Sequence, residues 1–136
     1  MKTHDIHRST QPAVSLLPQT PAATGLVNGS AVDTLGYNGG IALVQVGVAA
    51  GASVTFTIQT AVDVAGAPGV WVDAKDLNNA PCAAVVTPGN VAKIRYDPDT
   101  SERWVRINAN VTAGANVPIG GVVLRANAKY AYPPQV

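Results

Sequence analysis

From Gly25 to the C-terminus this chain sustains no helical period. Short apolar runs alternate instead with Gly, Pro, Asn and Asp, the punctuation of a β protein. Residues 53–60 show it best: Val54, Phe56 and Ile58 fall on one face and Thr55, Thr57 and Gln59 on the other. Residues 103–112 repeat the pattern, with Val105, Ile107, Ala109 and Val111 opposite Trp104, Arg106, Asn108 and Asn110. Further strands are predicted at 41–48, 70–74, 83–87, 91–96 and 119–128. Asn38-Gly39-Gly40 reads as a turn, and Ala49-Ala50-Gly51-Ala52 as a hairpin joining two neighbouring strands. About eight short strands in one domain of 136 residues predict an all-β, antiparallel β-sandwich of jelly-roll type.

Residues 1–24 differ. They hold both histidines and Pro12, Pro18 and Pro21, which disfavour helix and favour extended chain. Only Ala13-Val14-Ser15-Leu16-Leu17 has strand character. The segment reads as an extended N-terminal arm or an edge strand, followed by the sandwich at 25–136 with a Pro-rich tail from Tyr130.

Composition narrows the function. Charged residues make up 12%, about half the usual share. Nine basic against eight acidic residues leave a net charge of +1, with no basic cluster, so nucleic-acid binding by charge is not expected. No apolar run is long enough for a membrane-crossing helix, and the polar residues 1–11 offer no apolar segment for a secretion signal. So few charges in a small protein predict a surface partly covered by a partner.

A search for chemistry finds little. His4-Asp5-Ile6-His7 has metal-like spacing but no third ligand nearby in sequence; a solvated or partner-bound arm is the simpler reading. Asp63, Asp73 and Asp76 match no calcium-loop spacing and read as loop polarity. Asp97, Asp99 and Glu102, beside Arg95 and Arg103, read as a turn rather than a hydrolytic carboxylate pair. Cys82, the one cysteine, lacks a histidine outside the arm to activate it and reads as a small, half-buried residue. Gly39-Gly40 and Gly120-Gly121 lack the lysine and helix of a phosphate loop. No catalytic, cofactor or metal residue is assigned, and the chain is not expected to be an enzyme. Trp71 and Trp104 could stack on a sugar, as in carbohydrate-binding sandwiches. Trp104, outward by its strand phase, reads instead as a subunit contact or as edge packing.

Residues 25–134 resemble small virion proteins of tailed bacteriophages, encoded among the head genes. The resemblance lies in the opening Ala31-Val32-Asp33-Thr34-Leu35-Gly36-Tyr37, the strand ending Val46-Gly47-Val48, and Val54-Thr55-Phe56-Thr57-Ile58-Gln59 running into Ala61-Val62-Asp63. It continues in Val70-Trp71-Val72, in Arg103-Trp104-Val105-Arg106-Ile107, and in Lys129-Tyr130-Ala131-Tyr132-Pro133-Pro134. It implies a structural role: a head decoration, or cement, protein made in the host bacterial cytoplasm. Such a protein sits on the capsid exterior, bridges neighbouring major capsid protein subunits, and acts as a homo-oligomer, dimer or trimer. A neck or tail subunit is the alternative. The expected partner interface is Ile6, Val14, Leu16 and Leu17 in the arm, with Trp104, and Tyr130, Tyr132 and Pro133 in the tail.

Overall fold

A computed structural model describes residues 10–96 and 102–128 of the chain. Among them are ten strands: β1 (Thr10–Gln19), β2 (Gly25–Asn28), β3 (Val32–Asp33), β4 (Tyr37–Val46), β5 (Ser53–Val64), β6 (Ala67–Asp73), β7 (Ala83–Val86), β8 (Val91–Tyr96), β9 (Trp104–Ala113) and β10 (Ile119–Ala128). All pairings are antiparallel.

The strands form two sheets. Sheet A runs β1-β10-β4-β8, and sheet B runs β2-β9-β5-β6, with β3 also on β9 and β7 also on β5. β2 and β3 lie on the same edge of β9, and β6 and β7 on the same edge of β5. Each couple is one broken strand. Counted so, eight strands in two four-stranded sheets give the jelly-roll order, with the chain passing repeatedly between sheets. The expected β-sandwich is the fold observed.

The period-two pattern places the core. Val54, Phe56 and Ile58 from β5 face Val105, Ile107, Ala109 and Val111 from β9 within sheet B. Ala42, Val44, Val46, Ile94, Ile119 and Val123 close the core from sheet A. Most of these are Val or Ala, so the two sheets meet over small side chains. Phe56 and Tyr96 are the bulky exceptions.

Three local expectations are corrected. First, of the arm and edge-strand readings of the N-terminal segment, residues 10–19 take the edge strand and belong to the sandwich. β1 pairs with β10 from Thr10↔Ala126 to Gln19↔Ile119, so the boundary drawn after Thr24 falls inside the fold. Pro12 and Pro18 are accommodated because β1 is an edge strand, where a missing N–H disrupts nothing. Second, Asn38-Gly39-Gly40 is not a turn but the start of β4. A side chain at Gly40 would collide with the Tyr96 phenol packed across it, so glycine serves close approach here. Third, Ala49-Ala50-Gly51-Ala52 is a crossover between sheets, not a hairpin. Both edges of β4 are taken by β10 and β8, and β5 is taken by β9 on one side and β6 and β7 on the other.

Ser15 fastens the two sheets where β2 breaks from β3. Its hydroxyl accepts from the Ile107 N–H at 2.9 Å and donates to the Ser30 carbonyl at 2.8 Å. Gly29 donates its N–H to the Ile107 carbonyl at 2.9 Å. A Cβ on Gly29 would meet the Ser15 hydroxyl at 2.7 Å, so this closeness needs glycine. Ser15 is 1% exposed and supplies the acceptor that the interrupted strand withholds from β9.

Candidate functional site

The outer face of sheet B gathers the polar and aromatic chemistry. Ala61 pairs with Trp71 on one side and Trp104 on the other. Two indoles thus flank one alanine, which is 1% exposed. One row along, Gln59 pairs with Asp73 and Arg106. Its amide oxygen accepts from Arg106 Nε at 2.9 Å, Arg106 Nη2 at 2.7 Å and Asn108 Nδ2 at 2.7 Å. Its amide nitrogen donates to Asp73 at 2.8 Å. The Arg106 guanidinium lies 4.4 Å from the Trp71 ring centre, and burial holds its pKa below the ordinary arginine value.

A second cluster stands at the start of β9. Arg103 grips both carboxylate oxygens of Asp33, from Nε at 2.9 Å and Nη2 at 2.7 Å, and reaches Asp63 from Nη1 at 3.2 Å. Trp104 Nε1 donates to the same Asp63 oxygen at 2.8 Å, and Arg103 stands 5.0 Å over the Trp104 ring. The hydrogen bond from Arg103 lowers the Asp33 pKa, which partial burial opposes and the Leu35 N–H supports. From sheet A, Arg125 Nη1 donates to the Asp33 carbonyl at 2.9 Å, tying the sheets together at this end.

These groups are occupied by one another. Asp63 and Asp73, read as loop polarity, are committed to Trp104 with Arg103 and to Gln59 respectively. Asp76 folds its own loop, accepting from the Asn78 and Ala80 N–H groups. Cys82 is buried at the neck of that loop, where its backbone bonds to Ala74 and Ile58. Among the described residues, no group of three or more His, Cys, Asp or Glu could hold a metal ion. His4, His7, Asp97 and Asp99 lie outside the described residues.

The outer face of sheet A is the opposite in kind. In register across the four strands stand Pro12, Leu124, Ile41 and Arg95, then Val14, Val122, Leu43 and Lys93, then Gly120, Gln45 and Val91. Antiparallel sheets with one free face ordinarily turn polar residues to it. Here most of the face is apolar. Gly120, whose absent side chain would point outward beside Gln45 and Pro18, helps leave a trough of about 270 Å³ between Val14, Leu43, Val91 and Val122. The trough shares Pro18, Gln45 and Val91 with a second depression of about 450 Å³, which extends past Val48 and Pro118. A separate apolar surface lies on the β5–β6 hairpin, where Val62, Val64, Val70 and Val72 are 46, 57, 81 and 50% exposed.

The predicted interface residues scatter across this geometry. Val14 and Leu17 are exposed on β1. Leu16, expected at the surface with them, is 1% exposed and part of the core. A register shift between Val14 and Leu16 turns the two to opposite faces, which period-two reading cannot anticipate. Trp104 is outward and half-buried, held by Asp63. Ile6, Tyr130, Tyr132 and Pro133 lie outside the described residues. Sequence reasoning missed Ile41, Leu43, Val122 and Leu124. Their signal was present, because Ile41-Ala42-Leu43-Val44 and Val122-Val123-Leu124 are apolar at both parities, the mark of a strand covered on both faces.

No protein-family model and no curated protein matches the chain. Among solved structures, a Bacillus endospore appendage protein, from a family of disulfide-linked pili, is 16% identical over 88% of this chain and 89% of that one, with a TM-score of 0.47. PirA is 17% identical over 93% of this chain and 97% of its own, with a TM-score of 0.45. A protein of infectious bursal disease virus, Gx strain, is 11% identical with a TM-score of 0.48, over 90% of this chain and 33% of that one.

Proposed function

We propose that this protein is a structural subunit of a tailed-phage particle: a decoration protein that sits on the outside of the head and bridges neighbouring major capsid protein subunits. The observation that supports this reading is the division of its surface. Most of the polar and ionisable groups on the outer face of sheet B pair with one another, although Asn108 Oδ1 is buried without a partner, and two separate apolar surfaces stand apart, one across sheet A and one on the β5–β6 hairpin. A bridge needs two adhesive areas, and each can be modest because simultaneous engagement multiplies their effect. Nothing in this reading asks the chain to turn over a substrate.

The carbohydrate-binding reading meets an obstacle in the same geometry. Trp71 and Trp104 do share a face, but guanidinium groups already lie over their rings, at 4.4 and 5.0 Å. A sugar would have to displace a cation or use the remaining ring face.

The test is reconstitution. Purified full-length chain is added to phage heads that lack it, and the particles are sedimented. Saturable binding at many copies per head, with a raised temperature of shell opening, is the expected result. Binding at one ring's worth of copies would move the protein to the neck or tail. No association with particles would overturn the proposal.

A further inference from the structure

The two depressions on the outer face of sheet A form one groove, and we propose that it binds an extended, uncharged, apolar peptide segment of a partner protein. The inference deepens the reading of this face as adhesive, on which it rests. β1 shapes the groove. Its register on β10 shifts between Val14 and Leu16 and again between Leu16 and Gln19, so Gly121 pairs with Leu16, Ile119 with Gln19, and Gly120 with no β1 residue. Beside Gly120 stands Gln45 of β4, and beyond it Val91 of β8. The depressions of about 270 and 450 Å³ share Pro18, Gln45 and Val91, and together follow β4 from Leu43 to Val48. That run is about 17 Å, the span of about five residues of extended chain.

Three properties select this occupant. The first is shape. A Cβ built on Gly120 would meet Gln45 Nε2 at 3.6 Å and Pro18 at 3.7 Å, so the missing side chain leaves a dip in the groove floor. A flat partner surface would roof the dip and forfeit contact there. An extended chain lowers one side chain into it and turns the next one away. The second is hydrogen bonding. Gln45 is exposed and is the polar side chain common to both depressions. Its amide carries donors and an acceptor side by side, the complement of one peptide unit. Gln19 and Asn90, the other amides of the groove, donate to the backbone carbonyls of Leu17 and of Thr87 and Pro88. One available amide between apolar walls is the balance that fixes a ligand's register while burial supplies its affinity. The third is charge. No ionisable side chain lines either depression. A charged residue laid in the groove would lose water and meet no counter-charge. Lys93, level with Leu43 on β8, flanks one end and disfavours a basic segment further.

The test presents the full chain with a pooled library of acetylated, amidated hexapeptides built from Ala, Val, Leu, Phe, Pro, Gln and Lys, followed by fluorescence anisotropy on the enriched members. Saturable binding of Lys-free sequences is the expected result. Gly120→Ala should weaken it about threefold and Gly120→Val about tenfold or more, in the order of the volume added to the dip. The Cβ contacts at Gly120 are ordinary ones, so both variants are expected to keep the wild-type fold. Gln45→Ala, at an exposed position, should cost about fivefold. Asn110→Ala, on the outer face of sheet B, should change nothing. No enrichment above that seen with Gly120→Val, affinities indifferent to both Gly120 and Gln45, or selection of Lys-containing peptides would each overturn the proposal. So would either rival occupant. A mass in sedimentation that doubles for the wild type and reverts with Gly120→Val would give the groove to a second copy. Preferential binding of the free peptide of residues 129–136 would give it to the chain's own C-terminal segment. The outcomes separate from the particle reading. Gly120→Val protein that decorates heads as well as the wild type sinks the groove alone. A chain that binds the peptides but ignores heads leaves the groove standing and sinks the decoration role.

Discussion

The two outer faces of the sandwich solve the same problem in opposite ways. Each sheet turns one side to the core and must leave the other to something else. Sheet B covers its outer side with its own chemistry: Gln59 gathers three donors, Arg103 clamps Asp33, and the indoles of Trp71 and Trp104 close over Ala61. Sheet A leaves Val14, Ile41, Leu43, Val122 and Leu124 facing outward, with neighbours of the same kind. Polar residues satisfied within the fold add stability and gain little from a new partner. Of the apolar residues on sheet A only Val14 is exposed; the other four are half-buried by their strand neighbours, so they already contribute to the monomer and gain further from any partner that removes the remaining water. Position in the jelly roll does not separate the faces. Side-chain composition alone makes most of one face self-paired and the other apolar, with the β5–β6 hairpin of sheet B as the exception.

The largest effect is expected where the two sheets are fastened. Ser15→Ala removes a buried acceptor from the Ile107 N–H and a donor from the Ser30 carbonyl. Leaving the buried Ile107 N–H unpaired, and the part-buried Ser30 carbonyl with it, costs about 2 kcal/mol, read as a lower midpoint in chemical denaturation. Since Ser15 serves both sheets, this loss is expected whichever face is covered. A change below about 0.5 kcal/mol would mean that water replaces the hydroxyl freely.

Next in size is the self-paired face. Gln59→Leu keeps similar volume but withdraws the acceptor shared by Arg106 and Asn108 and the donor to Asp73. A loss of about 1–2 kcal/mol is expected, measured in the same way. Without it, the network on sheet B would be decoration of a surface already stable through its core.

How far the sequence could announce this contrast depends on which kind of information each part needs. Period-two alternation placed 53–60 and 103–112 with the right residues inward, and 91–96 and 119–128 with the observed bounds, because in-and-out alternation is a property of the strand itself. Sheet membership is not. The Ala49–Ala52 connection looked like a hairpin since nothing local says that β4 and β5 pair with other strands. Residues 10–19 read as an arm or an edge strand, since prolines argue against strands except at edges, and the choice between the two is settled only once the sheet is assembled. Leu16 was assigned to the surface because one bulge reverses parity. The partnership of Asp63 with Trp104 and Arg103 spans about forty positions and carried no local trace.

A smaller effect should appear with pH. Arg103 holds the Asp33 carboxyl below its ordinary pKa. Asp33 therefore adds stability above its unfolded value, near 3.9, and that contribution disappears as pH falls through its lowered folded value. Both side chains are partly exposed, at 28% and 36%, so solvent screening limits the contribution to about 0.5–1 kcal/mol. Arg103→Met is expected to flatten the acid limb of the stability curve below about pH 4. An unchanged acid limb would show that this clamp fixes geometry rather than stability.

A change of the same small size tests the contrast most directly. Leu43→Gln places a polar residue at the centre of the open face. Leu43 is half-buried among its strand neighbours, so in a dilute, monomeric sample unfolding should shift by about 0.5–1 kcal/mol. A partner that binds this face adds stability to the wild-type chain, and should add less to the variant. The two proteins would thus differ little alone and diverge when the partner is present, whereas Gln59→Leu should differ from wild type by the same amount in both. If Leu43→Gln costs as much as Gln59→Leu in dilute solution, the open face belongs to the monomer's own stability as fully as the polar network does. The difference between the two sheets would then be one of chemistry without being one of purpose.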